Sequence, residues 1–183
     1  PRLSFRVVQV ESGAQATRLI RTREVDICVS RIVDQADDLD VETLFEDPVV
    51  LVAAAHHPLA RRRNVALREL AVEAWSVPAT LLGRFLRDVF RRQGLDFPKT
   101  CLVCNSIAMQ IVLVETGRFV MILPASFLHF RGKRFPLKVL PLSFDVTPPP
   151  VGFFTLKNRT ISPVAKLFIE DLRAVAKSMP AKR

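Results

Sequence analysis

The chain has 183 residues, 49% of them hydrophobic, which is enough to fill the core of one domain or of two small lobes. Its apolar stretches carry a proline or are too short to span a membrane, and no signal-peptide pattern opens the chain, so we expect a cytoplasmic protein. The net charge of +9 is scattered along the chain and not interleaved with aromatic residues, which favours a solvated surface over a nucleic-acid-binding one.

The three cysteines are odd in number, which argues against a disulfide framework. Cys101 and Cys104 form a C-x-x-C, but the apolar residues between them predict a strand, on which residues three apart point to opposite faces. The sequence has no second Cys or His pair at zinc-ligand spacing. We therefore expect packing roles for the cysteines, with no metal site and no cofactor.

The first part of the chain alternates between strand and helix patterns. Residues 1–10 begin with the alternating apolar positions of a strand, and Ser12 is a suitable N-cap for a helix over 14–22. Residues 25–30 predict the next strand, and the short joints between these elements indicate a right-handed parallel crossover. A further short strand is predicted over 41–45.

An uninterrupted apolar run at 49–52 divides the chain. Because it has no polar alternation, it predicts a strand buried on both faces. The run ends at His57 and Pro58, and proline disfavours helical geometry in the residue before it. We interpret 54–60 as an extended passage between two lobes.

A similar alternation fills the second part of the chain. The predicted elements are a helical turn over 67–70, strands over 75–78, 101–104 and 119–123, and helices over 82–93 and 107–116. Pro148 and Pro149 lie in a proline run that we interpret as a second passage, before a last helix that begins at Ser162. The first lobe would then comprise 1–57 and 150–183 and the second lobe 58–149, with a cleft between them.

Four segments, in this order and at this spacing, resemble the effector-binding domain of LysR-type transcriptional regulators. They are REVDICV at 23–29, HHPLA at 56–60, ETGRFVMILP at 115–124 and ISPVAKLF at 161–168. The chain departs from the family pattern at Arg23 and Arg118, which stand where the family has glycine.

The resemblance implies an α/β fold with two Rossmann-like lobes joined by two crossover strands, the type II periplasmic-binding-protein fold, here lacking its first strand and helix. It also implies that the DNA-binding winged helix-turn-helix is absent from this chain and belongs to a longer parent protein. The implied function is ligand sensing, in which a small organic effector in the cleft controls DNA binding by a parent that forms a homo-oligomer, expected to be a homodimer.

By the same resemblance, polar groups at strand ends and helix starts would bind the effector. The implied residues are Ser12, Ser30, Arg31, Pro78, Ala79, Thr80, Asn105, Ser106 and Ile107, with His57, Pro58, Pro148 and Pro149 as hinge residues. Free N–H groups at a helix start favour an anion, so we expect an anionic effector. For Ser12, Asn105 or Ser106 taken alone, simple helix capping is an equally good explanation.

Three other functions compete with this interpretation. An enzyme needs a catalytic constellation, and the sequence contains neither G-x-S-x-G nor H-E-x-x-H, so we expect no catalytic residues. A solute-binding protein of the same fold is the main alternative, and the missing signal sequence argues against it. Direct nucleic-acid binding is supported by the net charge alone.

Overall fold

The computed structural model describes residues 4–33, 36–131, 135–142 and 144–179. Its helices are α1 (Gly13–Arg21), α2 (Leu67–Leu70), α3 (Leu81–Arg92), α4 (Ile107–Glu115), α5 (Ala125–Arg131) and α6 (Pro163–Lys177), with a 3-10 turn at Pro58–Arg61. Its strands are β1 (Cys28–Arg31), β2 (Leu39–Phe45), β3 (Val49–Ala54), β4 (Ala74–Val77), β5 (Cys101–Val103), β6 (Phe119–Pro124), β7 (Leu137–Val139) and β8 (Val151–Leu156).

These strands form two sheets. The first sheet has the order β1-β8-β2 and is antiparallel, with Cys28 opposite Phe154 and Val41 also opposite Phe154 on the other side. The second sheet has the order β5-β4-β6-β3-β7, in which β4 runs parallel to β5 and β6 while β3 is antiparallel to β6 and β7. Helices α3 and α4 make the crossovers between its parallel strands, as the strand and helix alternation of the sequence predicts.

Apolar side chains cover both faces of the second sheet. On one face Trp75 packs against Phe90 of α3, with the two rings edge to face at 5.8 Å between centroids. On the other face Val52 and Met121 pack against Val114 of α4. Strand β3 is therefore buried on both sides, which agrees with its uninterrupted apolar sequence.

The start of the described chain differs from the prediction. Residues 4–10 form no strand, and Val7 is 92% exposed. The predicted parallel crossover through α1 is therefore wrong, since the described partner of β1 is the antiparallel strand β8. Alternating apolar residues indicate which faces a strand would have, but a strand also needs a neighbour that offers backbone hydrogen bonds.

The first passage between the sheets also lies elsewhere than 54–60. Because β3 pairs with β6 and β7, it belongs to the second sheet, and the chain changes sheets over 46–48. His57 is buried and caps the 3-10 turn, accepting at Nδ1 from the Leu59 N–H at 3.2 Å. An apolar strand is more stable inside a sheet than in an exposed passage, which explains the difference.

Two of the sequence motifs pack against each other. Gly117 has φ +74°, in the left-handed region that glycine adopts without strain, and a Cβ there would collide with the His56 imidazole. Arg23, where the resemblance implies glycine, has φ +61°.

Among the helices of the described residues, none has the length and apolar character that a membrane crossing demands.

Candidate ligand-binding cleft

Two neighbouring cavities lie between the two sheets. The larger has a volume of about 1030 Å³ and the smaller about 680 Å³, and Glu11, Thr80 and Leu82 line both. The larger is formed mainly by α1, the end of β1 and the start of α3. The smaller is formed by the start of α4 and the end of β6. The shared lining residues place the two cavities side by side in one cleft, to which both sheets contribute.

The structure brings most of the predicted effector-binding residues to this cleft. Those lining the larger cavity are Ser12, Ser30, Arg31 and Thr80, and those lining the smaller are Pro78, Thr80, Asn105, Ser106 and Ile107. Ala79 lines neither cavity, but its N–H donates to Asn105 Oδ1 at 2.8 Å. That hydrogen bond orients the Asn105 amide across the gap between β4 and α4.

Two serines cap helices at the cleft from opposite sides. Ser12 Oγ accepts from the Gln15 N–H at 3.2 Å at the start of α1, and Ser106 Oγ accepts from the Met109 N–H at 3.4 Å at the start of α4. Capping uses an oxygen lone pair and leaves the hydroxyl proton able to donate to a ligand. Capping and ligand binding are therefore compatible at both serines.

Arg31 lines the larger cavity, but its guanidinium is engaged by the protein. Nη1 donates to the Pro149 carbonyl at 2.8 Å and Nη2 donates to the Asp47 carbonyl at 2.8 Å. Burial lowers the pKa of Arg31, and the nearby Asp47 carboxylate opposes that shift. Arg31 thus connects the two segments that pass between the sheets, 46–48 and 147–150.

Two functional candidates were not predicted from the sequence. Asp47 is 5% exposed at its side chain, lies 3.6 Å from Arg31 and accepts from both the N–H and the hydroxyl of Ser126. Gln110 is buried in the lining of the smaller cavity. The partners of Asp47 are distant in sequence, and the residues around Gln110 indicate only a helix, so no local pattern could indicate these roles.

Arg84 is a further cationic group of the larger cavity. It is exposed on α3, and the described residues give it no ion-pair partner. Arg18 and Arg21 also line that cavity, but they pair with Glu24 and Asp38. Arg84 reaches the cavity because α3 begins at the cleft.

The cysteines play no part in the cleft lining. Burial raises the pKa of the Cys28 thiol to about 11, which keeps it neutral. Cys101 packs against the core of the second sheet, whereas Cys104 Sγ accepts from the Ser106 N–H at 3.4 Å. In the described residues, no group of three or more His, Cys, Asp and Glu side chains is arranged to hold a metal ion.

Comparison with known proteins identifies the family. The model of the LysR substrate binding domain matches residues 1–177. The chain belongs to this family. A curated LysR-family relative, the HTH-type transcriptional regulator GbpR of Azospirillum brasilense, is 23% identical over 176 residues, which are 92% of this chain and 51% of the relative. The chain spans about half the length of the curated relatives it matches over most of its own length.

Solved structures of LysR domains share the fold. The Synechocystis PCC6803 CcmR regulatory domain in complex with 2-PG superposes with a TM-score of 0.75 at 23% identity, covering 91% of this chain and 81% of CcmR. The effector binding domain of QuiR in complex with shikimate gives a TM-score of 0.71 at 20% identity, covering 91% of this chain and 78% of QuiR. The predicted fold class is confirmed, and family and relatives agree with a ligand-sensing regulatory domain rather than an enzyme.

Proposed function

We propose that this LysR domain binds a small organic anion in the cleft between its sheets, and that binding controls how a longer parent protein contacts DNA. The observation that carries the proposal is the meeting of two capped helix starts, at Ser12 and Ser106, in one cleft. Backbone N–H groups and the helix dipole favour negative charge at such positions. Arg84 adds a positive side chain near the same space.

The parent protein would use the ligand to shift an equilibrium between arrangements of two lobes. The first sheet with α1 and α6 would form one lobe, and the second sheet with α2 to α5 the other. Hinge motion would be centred on 46–48 and on the segment containing Pro148 and Pro149, in place of His57 and Pro58. A ligand held from both sides favours a closed form only if it binds that form more tightly.

DNA contact, location and association are also proposals. The relative GbpR is an HTH-type transcriptional regulator, which supports DNA binding through a region outside this chain and hence a cytoplasmic location. A homodimer would present two DNA-reading heads to a two-part site. Exposed apolar residues on β5 and α4, among them Val103 and Val112, offer a surface for such pairing.

The test compares ligand binding by two variants, each of which removes one helix-capping serine. Replacing Asn105 and Ser106 with alanine should weaken binding of shikimate or 2-PG by about 1 kcal/mol for each neutral hydrogen bond lost, and by more for a bond to a charged group. Isothermal titration calorimetry measures this change.

The matched control is Ser162→Ala. Ser162 caps α6, where its Oγ accepts from the Ala165 N–H at 3.2 Å, and it does not line the two cavities. Each variant should lose about 1 kcal/mol of stability through the missing cap, and the Asn105 and Ser106 variant also loses the hydrogen bond from the Ala79 N–H. Only the Asn105 and Ser106 variant should lose ligand affinity, and equal affinities in the two variants would contradict the assignment of the cleft.

A further inference from the structure

The floor of the smaller cavity holds a polar side chain that the fold itself does not pair. Gln110 of α4 is 4% exposed and lines the cavity together with Ile122 and Leu123 of β6. Of these three buried lining residues, Gln110 alone is polar. Its Nε2 has no hydrogen-bond partner among the residues that the structure describes. Native proteins rarely bury an amide in this way without a use for it.

The position of Gln110 along α4 places it deeper than the predicted rim of the site. It follows Ser106 by one helical turn, and its own N–H donates to the Ser106 carbonyl at 3.0 Å. Ser106 and Ile107 are exposed, whereas Gln110 is buried against the second sheet. Gln110 therefore lies behind the exposed residues of the cavity rim, one helical turn further along α4.

A second buried polar group faces the same layer. Ser76 of β4 is buried, and its hydroxyl also has no partner among the described residues. Trp75 and Val77 point towards α3, so the alternation of β4 directs Ser76 to the face covered by α4. Two polar groups without a hydrogen-bond partner among the described residues thus lie where α4 covers the second sheet, Gln110 on the helix and Ser76 on the sheet.

We propose that Gln110 is a specificity-determining residue of the cleft, whose amide N–H donates to a carboxylate or carbonyl oxygen of the effector. This inference rests on the proposed function and adds the chemistry of one ligand group. A ligand with a hydrocarbon group at that point would leave the buried amide unpaired and would be rejected. The neutral amide of Gln110 can also lie beside the negative charge of an effector, whereas a carboxylate at position 110 would repel that charge.

The experiment separates ligand recognition from a structural role for Gln110. Dissociation constants for shikimate and 2-PG are measured by isothermal titration calorimetry, and Tm by thermal unfolding, for the whole chain and for Gln110→Met. Binding should weaken about tenfold, equivalent to about 1.4 kcal/mol. The Tm without ligand should stay unchanged or rise, because methionine removes a buried donor that lacks an acceptor.

Two further variants complete the test. Gln93→Met is the matched control, since Gln93 is exposed next to α3 and donates to Asp145 at 2.9 Å, and it should leave both the dissociation constants and Tm unchanged. Gln110→Glu keeps the shape of the side chain and should weaken binding of anions more than methionine does. If the buried carboxylate prevents folding, Gln110→Met still decides the question.

Each remaining outcome counts against a defined statement. If Gln110→Met keeps the wild-type dissociation constants, the inference about Gln110 is overturned, while the proposed function stands. A lower Tm in that variant would then indicate a structural role for the amide. Binding that is lost in the Asn105 and Ser106 variant but kept in Gln110→Met leads to the same conclusion. If the wild-type chain binds none of shikimate, 2-PG, benzoate and inorganic phosphate, the proposed function fails and the inference fails with it.

Discussion

The Asp47 carboxylate joins three parts of the chain in a space closed to water. It accepts from the Ser126 N–H at 3.0 Å and hydroxyl at 2.8 Å, at the start of α5. It also lies 3.6 Å from Arg31, whose guanidinium donates to the carbonyls of Pro149 and Asp47. Removing one partner of such a buried pair leaves the other charge uncompensated.

Asp47→Ala should therefore lower the free energy of unfolding by about 3 kcal/mol. Urea unfolding monitored by the fluorescence of Trp75 measures the change. The control is Glu42→Ala, which breaks an exposed bidentate pair with Arg173 and should lower stability by no more than about 1 kcal/mol, although that pair is closer, at 2.6 Å. Equal losses in the two variants would show that the buried network contributes nothing special.

Single residues differ in how far the sequence predicts their roles. Ser12 and Ser106 were predicted as helix caps because a serine before a helical pattern is a local signal. Asp47 and its partner Ser126 are 79 positions apart, so their hydrogen bonds depend on the finished fold. The burial of Gln110 in the cavity lining also depends on the finished fold, because its sequence surroundings indicate only a helix.

Among the secondary-structure elements, the segment 4–10 shows why a pattern alone is insufficient. Its alternating apolar residues predict a strand, yet the segment is irregular and its Phe5 ring instead lies 5.7 Å from Phe168 of α6. Strand β3 was predicted correctly as buried on both faces, but its neighbours β6 and β7 come later in the chain. The burial of a strand can be predicted from its own sequence, whereas the order of strands in a sheet depends on several distant segments of the chain.

Hydrogen exchange should distinguish these two segments. Amides of residues 4–10 lack a strand partner in the described structure and should exchange within the first time point. Amides of β3, which lies between β6 and β7, should exchange only through large-scale opening. Mass spectrometry of peptic peptides measures the exchange of both segments. Protection of 4–10 similar to that of β3 would instead restore the predicted strand.

Across the whole molecule, the order of motifs predicts the architecture better than any one motif does. The alternation of strands and helices, a buried run and a proline run together imply two α/β units with two connections, and the structure contains two sheets joined in this way. The first connection lies at 46–48 but was predicted at 54–60, because His57 and Pro58 form a strong local break in the sequence. That break ends a strand of the second sheet and does not separate the two sheets.

The proposed homodimer can be tested on the surface of the second sheet. Strand β5 lies at the edge of that sheet with Val103 exposed, and the next element, α4, exposes Met109 and Val112. Met109 and Val112 are three residues apart and so share one helix face. Exposed apolar residues grouped in this way are typical of interaction sites.

We expect Val112→Glu to convert a dimer into a monomer, because the new charge would be buried without a partner in the interface. Sedimentation velocity over a range of protein concentrations measures the change. Leu167→Glu on α6 is the matched control, since Leu167 and Val112 are both 57% exposed and Leu167 lies outside the proposed surface. That variant should associate like the wild type, whereas a Val112→Glu dimer of wild-type strength would place the interface elsewhere. A wild-type chain that stays monomeric at the highest concentration would exclude dimerisation through this domain alone.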